Sequence, residues 1–209
     1  MWVEVNRIKR IYIGYQRTRQ LTKIVGTALL LYSCAIVSAV AADKEPTLWD
    51  ALTSGGHVAL LRHALAPGTG DPPEFRIGQC ATQRILSDEG RDQASKIGDR
   101  FRENNIYEAR IFSSQWCRCQ KTAQLLNLGP VKELEPLNSF FRHYERGDSQ
   151  TEMLLEWLRE QDLDRPFVLV THQVNITALT GIYPDSGELV IVYRSDTGDI
   201  KVIGTIKTR

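Results

Sequence analysis

The sequence has almost no excess of charge of either sign. Its 26 Lys and Arg residues nearly balance its 25 Asp and Glu residues, giving a formal net charge of +1 over 209 residues. Proteins that bind nucleic acid non-specifically usually have a strongly basic surface. The sequence also shows no internal repeat, low-complexity segment or coiled-coil pattern. We therefore expect no nucleic-acid partner, and this length favours one domain with one sizeable core.

Cysteines are few, and their spacing does not suit a metal site. None of the four forms a C-x₂-C pair, because Cys117 and Cys119 are separated by a single residue. A zinc site built from cysteines and histidines is therefore a weak alternative. In an oxidising compartment, Cys80 can pair with either Cys117 or Cys119, since both segments should lie at the same sheet edge. Small buried thiols in a reduced protein are the other interpretation.

One long uncharged stretch lies near the start of the chain, at residues 24–42. Six Lys and Arg residues against a single acid precede it, and it ends in Ala39-Val40-Ala41. This pattern predicts a secretory signal peptide over residues 1–42. The alternatives are an uncleaved membrane anchor, because nineteen uncharged residues can just span a bilayer, and lipidation at Cys34. All three interpretations place residues 43–209 in the periplasm or elsewhere outside the cytoplasm. If the leader is cleaved, we expect these residues to have no membrane contact.

Strands that alternate with helices predict an α/β fold in three layers, with a mostly parallel central sheet. The last two strands are joined by Asp-Thr-Gly, a hairpin signal. A loop rich in Pro and Gly, residues 64–84, is long enough to suggest a functional role. We expect strands at about 57–62, 109–114, 131–135, 166–171, 188–194 and 200–206, and helices within 43–54 and at about 87–104, 117–127, 151–161 and 174–180.

Two of the predicted strands run directly into a histidine. The first ends in Arg62-His63 and a later one ends in Thr171-His172. Ligands of open α/β sheets bind at the carboxyl ends of the strands, so we expect these residues to meet there. Arg118 should join them, because it lies near the start of the helix that follows the second strand.

These four residues, Arg62, His63, Arg118 and His172, suit phosphoryl transfer. A neutral imidazole is a competent nucleophile toward phosphorus and forms a phosphohistidine that water can hydrolyse. Guanidinium groups stay charged and grip phosphoryl oxygens in a bidentate fork. The chemistry requires no metal or cofactor, and the expected partner is a small phosphorylated molecule.

Four segments, in the expected order, resemble motifs of the histidine phosphatase superfamily, which includes the phosphoglycerate mutases and small exported bacterial phosphatases. The Arg-His signature corresponds to Leu61-Arg62-His63-Ala64, and the family's helix start corresponds to Leu86-Ser87-Asp88-Glu89-Gly90-Arg91-Asp92-Gln93-Ala94. The second-arginine motif corresponds to Ser113-Ser114-x-x-x-Arg118-x-x-x-Thr122-Ala123. The second-histidine strand corresponds to Val168-Leu169-Val170-Thr171-His172.

The resemblance implies a phosphoglycerate mutase-like α/β/α sandwich over residues 43–209 and an exported phosphatase acting on phosphomonoesters. It implies that His63 is the phosphorylated nucleophile, and that Arg62, Arg118 and His172 form the phosphate pocket. A mutase activity is less expected, because an exported protein has no glycolytic role.

The sequence departs from the family's pattern at the general acid, the residue that protonates the leaving oxygen. Many members supply a Glu or Asp after the third strand, but residues 134–141 contain no clearly placed acid. Asp71, Glu135 and Glu188 are the candidates. The missing acid leaves open a second function, a non-catalytic envelope protein of the same fold that binds a phosphorylated ligand.

Further polar residues have two interpretations each. Arg84 and Asn175 are candidates for substrate binding, although Arg84 also suits a surface position at a helix start and Asn175 suits an ordinary helix N-terminus. His57 and His143 match no motif and are expected to be structural. Trp116 is expected to pack in the core.

Overall fold

The computed structural model of this protein describes residues 47–208. The predicted leader, its cleavage site and Cys34 lie outside the described residues and stay predictions. Within residues 47–208, no helix combines the length and the apolar character needed to cross a bilayer.

Six strands form one sheet in the order β3-β2-β4-β1-β5-β6. The neighbours from β3 to β1 pair in parallel, whereas β5 and β6 pair antiparallel at one side. The prediction of a mostly parallel sheet ending in a hairpin is thus confirmed. The strands are β1 (His57–Arg62), β2 (Arg110–Ser113), β3 (Val131–Glu133), β4 (Phe167–Thr171), β5 (Leu189–Arg194) and β6 (Ile200–Ile206).

Helices cover both faces of the sheet, as the alternating pattern predicts. Successive strand residues point to opposite faces, so Leu61 packs in one core cluster with Phe101 and Leu126, whereas Leu60 packs in the other with Leu158 and Ile176. The first cluster lies under α1, α2 and α3, and the second under α4 and α5. The helices are α1 (Leu48–Thr53), α2 (Asp88–Glu103), α3 (Cys117–Leu126), α4 (Gly147–Arg159) and α5 (Gln173–Thr180).

Two predicted elements, α4 and β3, differ from the structure by two or more residues at a boundary. Helix α4 begins at Gly147, four residues before the predicted start at 151, because a 3-10 turn at Tyr144–Arg146 leads directly into it. The apolar spacing begins only at Met153, so the first polar turn gives no periodic signal. Strand β3 ends at Glu133 rather than 135, because the 3-10 turn Glu135–Leu137 follows it.

Register brings the functional strand ends to one edge. Arg62 of β1 is paired with Thr171 of β4, so the next residue of each strand, His63 and His172, lies at the same level. The backbone N–H of His63 donates to the carbonyl oxygen of Thr171 at 3.0 Å. The carboxyl edge predicted to hold the site is therefore assembled from β1, β2 and β4.

Candidate active site

His63, His172 and Arg118 meet at the carboxyl edge of the sheet, as the sequence predicts. The two imidazole rings lie edge to face with their centroids 5.4 Å apart. Arg118, in the first turn of α3, places its Nε atom 3.2 Å from His63 Nε2 and its NH2 atom 3.4 Å from His172 Nδ1. All three residues are only 3% exposed. The guanidinium group thus bridges the two histidines in an interior of low dielectric.

The hydrogen bonds of His63 fix which of its nitrogens carries the proton. Its Nδ1 atom lies 2.8 Å from the carbonyl oxygen of Ala64, which can only accept. Nδ1 must therefore be the donor, and the lone pair resides on Nε2. The Nε–H group of Arg118 donates to that same Nε2. His63 is held with its lone-pair nitrogen toward the arginine.

His172 is oriented by a chain of hydrogen bonds behind it. Arg118 NH2 can only donate, so His172 Nδ1 is the acceptor of that contact and Nε2 carries the proton. His172 Nε2 then donates to Ser114 Oγ at 2.9 Å, and Ser114 Oγ donates to Asn138 Oδ1 at 3.3 Å. Ser114 follows β2 directly, so a third strand end takes part in the site.

Burial keeps both imidazoles neutral. The pKa of His63 lies well below the usual 6.5, first because burial penalises the charged form and then because Arg118 repels a second positive charge. The pKa of His172 is lowered in the same way, by burial and then by Arg118 and His63. A neutral His63 at physiological pH is the state that nucleophilic attack requires.

A cavity of about 160 Å³ opens onto these residues. Three guanidinium groups line it, those of Arg62, Arg84 and Arg118, together with both histidines. Arg62 is anchored by donating from NH1 to the carbonyl oxygen of Pro184 at 2.7 Å. This concentration of fixed positive charge in a small cavity suits an anion with several oxygens.

Asp71 is the one of the three candidate acids that reaches the cavity lining. Its Oδ1 atom accepts a hydrogen bond from Arg118 NH1 at 2.7 Å, and its Oδ2 atom accepts one from Trp116 Nε1 at 2.9 Å. Glu135 is exposed, away from the cavity, and Glu188 accepts a hydrogen bond from the backbone of Asp185 instead. Both carboxylate oxygens of Asp71 are therefore held by donors from the segment that carries Arg118.

Trp116 packs as predicted, and it also has a polar role that the sequence analysis missed. Its ring stacks on Phe75 with centroids 4.8 Å apart and meets the His172 ring edge to face at 5.4 Å. Its indole N–H is the donor to Asp71 described above. The sequence offers no signal for this contact, because the partners are 45 residues apart.

The structure brings Arg84 to the cavity but not Asn175. Arg84 lines the cavity while donating to the carbonyl oxygens of Ala66, Gly68 and Gly70 in the 64–84 loop. Burial, followed by repulsion from Arg118, lowers the pKa of Arg84 to about 10. Asn175 is buried behind the site, where its amide donates to the carbonyl oxygen of Asn138 at 2.8 Å. Asn175 therefore holds a backbone segment rather than lining the cavity.

The cysteines form one disulfide beside the site. Cys80 is bonded to Cys117, and Cys119 is a buried free thiol whose pKa burial raises to about 12. Two of the three described cysteines thus have no thiolate to offer a metal. Among residues 47–208, no cluster of three or more His, Cys, Asp or Glu side chains is arranged to hold a metal ion.

The two remaining histidines lie elsewhere. His57 is at the opposite end of β1, where its Nδ1 atom is 2.6 Å from the carbonyl oxygen of Gly55. A larger hollow of about 820 Å³ lies beside it, and its lining includes two arginines but also three aspartates, so its charges do not favour an anion. His143 is exposed beside Glu145.

Solved phosphatases share this fold at low sequence identity. The protein histidine phosphatase SixA in complex with tungstate aligns with a TM-score of 0.52 at 13% identity, over 73% of this chain and 97% of its own. A mycobacterial glucosyl-3-phosphoglycerate phosphatase aligns with a TM-score of 0.52 at 16% identity, over 72% and 98%. Phosphoserine phosphatase from Entamoeba histolytica aligns with a TM-score of 0.51 at 14% identity, over 73% and 98%. At such identities the likeness establishes the fold.

Comparison of the sequence with known families gives a match for part of the chain. No curated protein matches the sequence significantly. A family model does match residues 58–141, a segment that contains Arg62, His63 and Arg118 but ends before His172. Over that segment, the chain matches the histidine phosphatase superfamily (branch 1), and its fold is that of solved phosphatases.

Proposed function

We propose that this protein is an exported phosphatase that hydrolyses phosphomonoesters through a phosphohistidine on His63. The observation that carries the proposal is the state of His63, which is neutral, donates from Nδ1 to the carbonyl oxygen of Ala64 and directs its Nε2 lone pair at the Arg118 guanidinium. The family match over residues 58–141 supports the same chemistry. The predicted leader and the Cys80–Cys117 disulfide support an oxidising compartment outside the cytoplasm.

The proposed reaction has two steps. His63 Nε2 forms a bond to phosphorus while the bond from phosphorus to the ester oxygen breaks, and the leaving alkoxide takes up a proton from solvent water. Water then attacks phosphorus, the phosphorus–nitrogen bond breaks, and inorganic phosphate leaves with neutral His63 restored. Arg62 and Arg118 compensate the charge on the non-bridging oxygens throughout. A bound phosphate raises the pKa of His172, which then contributes a further positive charge.

Hydrolysis of p-nitrophenyl phosphate by the purified 209-residue chain tests this function. Turnover in excess chelator, abolished by His63→Ala, is the expected result. His143→Ala is the matched control, because His143 is exposed and lies outside the cavity. Activity that survives His63→Ala would mean that the nucleophile is wrongly assigned. Activity that disappears with chelator alone would favour a metal-dependent site.

A second candidate function is binding of a phosphorylated ligand without turnover. It is supported by Asp71, the candidate acid in the cavity lining, whose two carboxylate oxygens already accept hydrogen bonds from Trp116 and Arg118. Because both oxygens are occupied as acceptors, neither is placed to donate a proton to a poor leaving group. Phosphate binding by the wild-type protein without hydrolysis of aryl or alkyl phosphates would establish this alternative.

A further inference from the structure

The 64–84 loop supplies two charged side chains to the cavity. Apart from Ala64, Ala66 and Phe75, it has little apolar packing of its own. Asp71 and Arg84 line the cavity. By contrast, most of the remaining loop is exposed, at residues 67–69, 73–74 and 76–81. Loop segments with few buried contacts open at a low cost in free energy. The position of Asp71 therefore depends on a few specific attachments of this loop.

Two of these attachments join the loop to the start of α3, directly beside Arg118. The disulfide links Cys80 to Cys117, the first residue of α3. Gln83 Oε1 accepts a hydrogen bond from the backbone N–H of Cys117 at 2.9 Å. The residue at the N-cap position of α3, Trp116, makes no capping side-chain hydrogen bond, and Gln83 of the loop accepts from the first amide of the helix instead.

The third attachment is made by Arg118 itself. Asp71 accepts from Arg118 NH1, and Trp116 holds the other carboxylate oxygen. The remaining guanidinium nitrogens of Arg118 face His63 and His172. One end of the guanidinium group is thus fixed by the loop, and the other end is presented to the cavity. Fixed orientation is what makes such a charge effective toward a phosphoryl group.

We infer that the Cys80–Cys117 disulfide and Asp71 act as one unit that positions Arg118, so that phosphate affinity depends on the oxidation state of the protein. This inference rests on the proposed phosphate site. A dithiol reductant transfers two electrons and two protons to the S–S bond, which gives two thiols and the cyclic disulfide of the reductant. Asp71, Cys80 and Cys117 are positioning residues, because they act through Arg118.

Calorimetric titration with inorganic phosphate tests the first part of this inference. The purified 209-residue chain is titrated oxidised and after dithiol treatment, with circular dichroism confirming that both forms are folded. Because a charge-assisted hydrogen bond to phosphate is lost or misaligned, we expect reduction to weaken binding by about tenfold. Cys80→Ser should weaken binding equally, and the dithiol should then have no further effect. Equal affinity in oxidised and reduced wild-type protein would overturn the inference.

A coupling experiment separates positioning from general stabilisation. Asp71→Ala should weaken phosphate binding, and reduction of that variant should add less than about twofold, because residues acting as one unit are not additive. Glu74→Ala removes the same charge from an exposed position in the same loop and should leave the tenfold effect of reduction unchanged. Additive effects, or tighter binding by Asp71→Ala, would contradict the inference. An oxidised wild-type protein that does not bind phosphate would instead reject the proposed function.

Discussion

The Nε–H group of Arg118 donates to His63 Nε2 at 3.2 Å, on the nitrogen that carries the imidazole lone pair. Arg118 is held there by its ion pair with Asp71 and by burial. A phosphoryl group bound at this nitrogen therefore comes into contact with the guanidinium group.

Replacement of Arg118 by lysine should lower kcat/KM for p-nitrophenyl phosphate by about 10²–10³-fold. Lysine keeps the charge but cannot contact Asp71 and both histidines at once, because it lacks the planar fork. Arg110→Lys is the matched control, since Arg110 lies at the far end of β2. A loss of less than about threefold in Arg118→Lys would contradict this role.

The pH dependence of kcat/KM should show an acid limb well below pH 6.5. Because the pKa of His63 is lowered by burial and by Arg118, its nucleophilic neutral form persists as the pH falls through the ordinary range for histidine. The measurement is a pH–rate profile for the free enzyme. An acid limb centred at or above pH 6.5 would show that His63 titrates as an exposed histidine does.

Folding stability should fall as the pH drops below about 6.5. In the unfolded chain His63 and His172 take up protons near that pH, whereas in the folded chain their lowered pKa keeps them neutral. The unfolded state therefore binds more protons, and each histidine contributes a slope of up to about 1.4 kcal/mol per pH unit. Urea denaturation between about pH 7 and 5 should give a smaller slope for His63→Gln than for the wild type. An unchanged slope would contradict the assignment.

Ser114→Ala should reduce kcat/KM by about tenfold, because it removes the acceptor that fixes the His172 tautomer. The neighbouring Ser113→Ala is a matched control. Its hydroxyl is equally buried but donates only to the carbonyl oxygen of Ser114. Steady-state kinetics of the two variants should therefore differ, and equal losses would show that the effect is general packing.

Gly90→Ala should destabilise the fold by about 2–3 kcal/mol, through overpacking. A Cβ atom at residue 90 would lie 2.0 Å from the carbonyl oxygen of Leu65, at the close approach of α2 to the segment after β1. Glu89→Ala, at an exposed position in the same turn, should change stability little. Urea denaturation midpoints of Gly90→Ala and Glu89→Ala test this prediction. A midpoint of Gly90→Ala equal to that of the wild type would mean that α2 and the segment after β1 separate readily.

Local sequence patterns were sufficient to predict the edge of the sheet where the site lies. Continuous apolar runs identify β1 and β4 as buried strands, so the residues that follow them, His63 and His172, are placed by the parallel topology alone. Arg118 follows from its position at the start of a helix after β2. These three positions need no knowledge of side-chain contacts.

Contacts between distant parts of the chain could not be predicted in this way. Asp71 lies in a loop without periodic pattern, and its ion pair with Arg118 spans 47 residues. The choice of Cys117 rather than Cys119 as the partner of Cys80 depends on which side of α3 faces the loop. Ser114 is different, because it belongs to the second-arginine motif and directly follows β2. Its position at a strand end was therefore a signal that could have identified it as a polar residue of the site.

Trapping the covalent intermediate is the strongest test for a phosphohistidine on His63. The wild-type protein is mixed with a radiolabelled aryl phosphate and quenched in alkali, and the labelled residue is identified by peptide mapping. We expect an acid-labile, alkali-stable label on the peptide that contains His63, absent from His63→Ala. Efficient turnover with no label on that peptide, or with an acid-stable label on another residue, would show that the reaction does not pass through a phosphohistidine on His63.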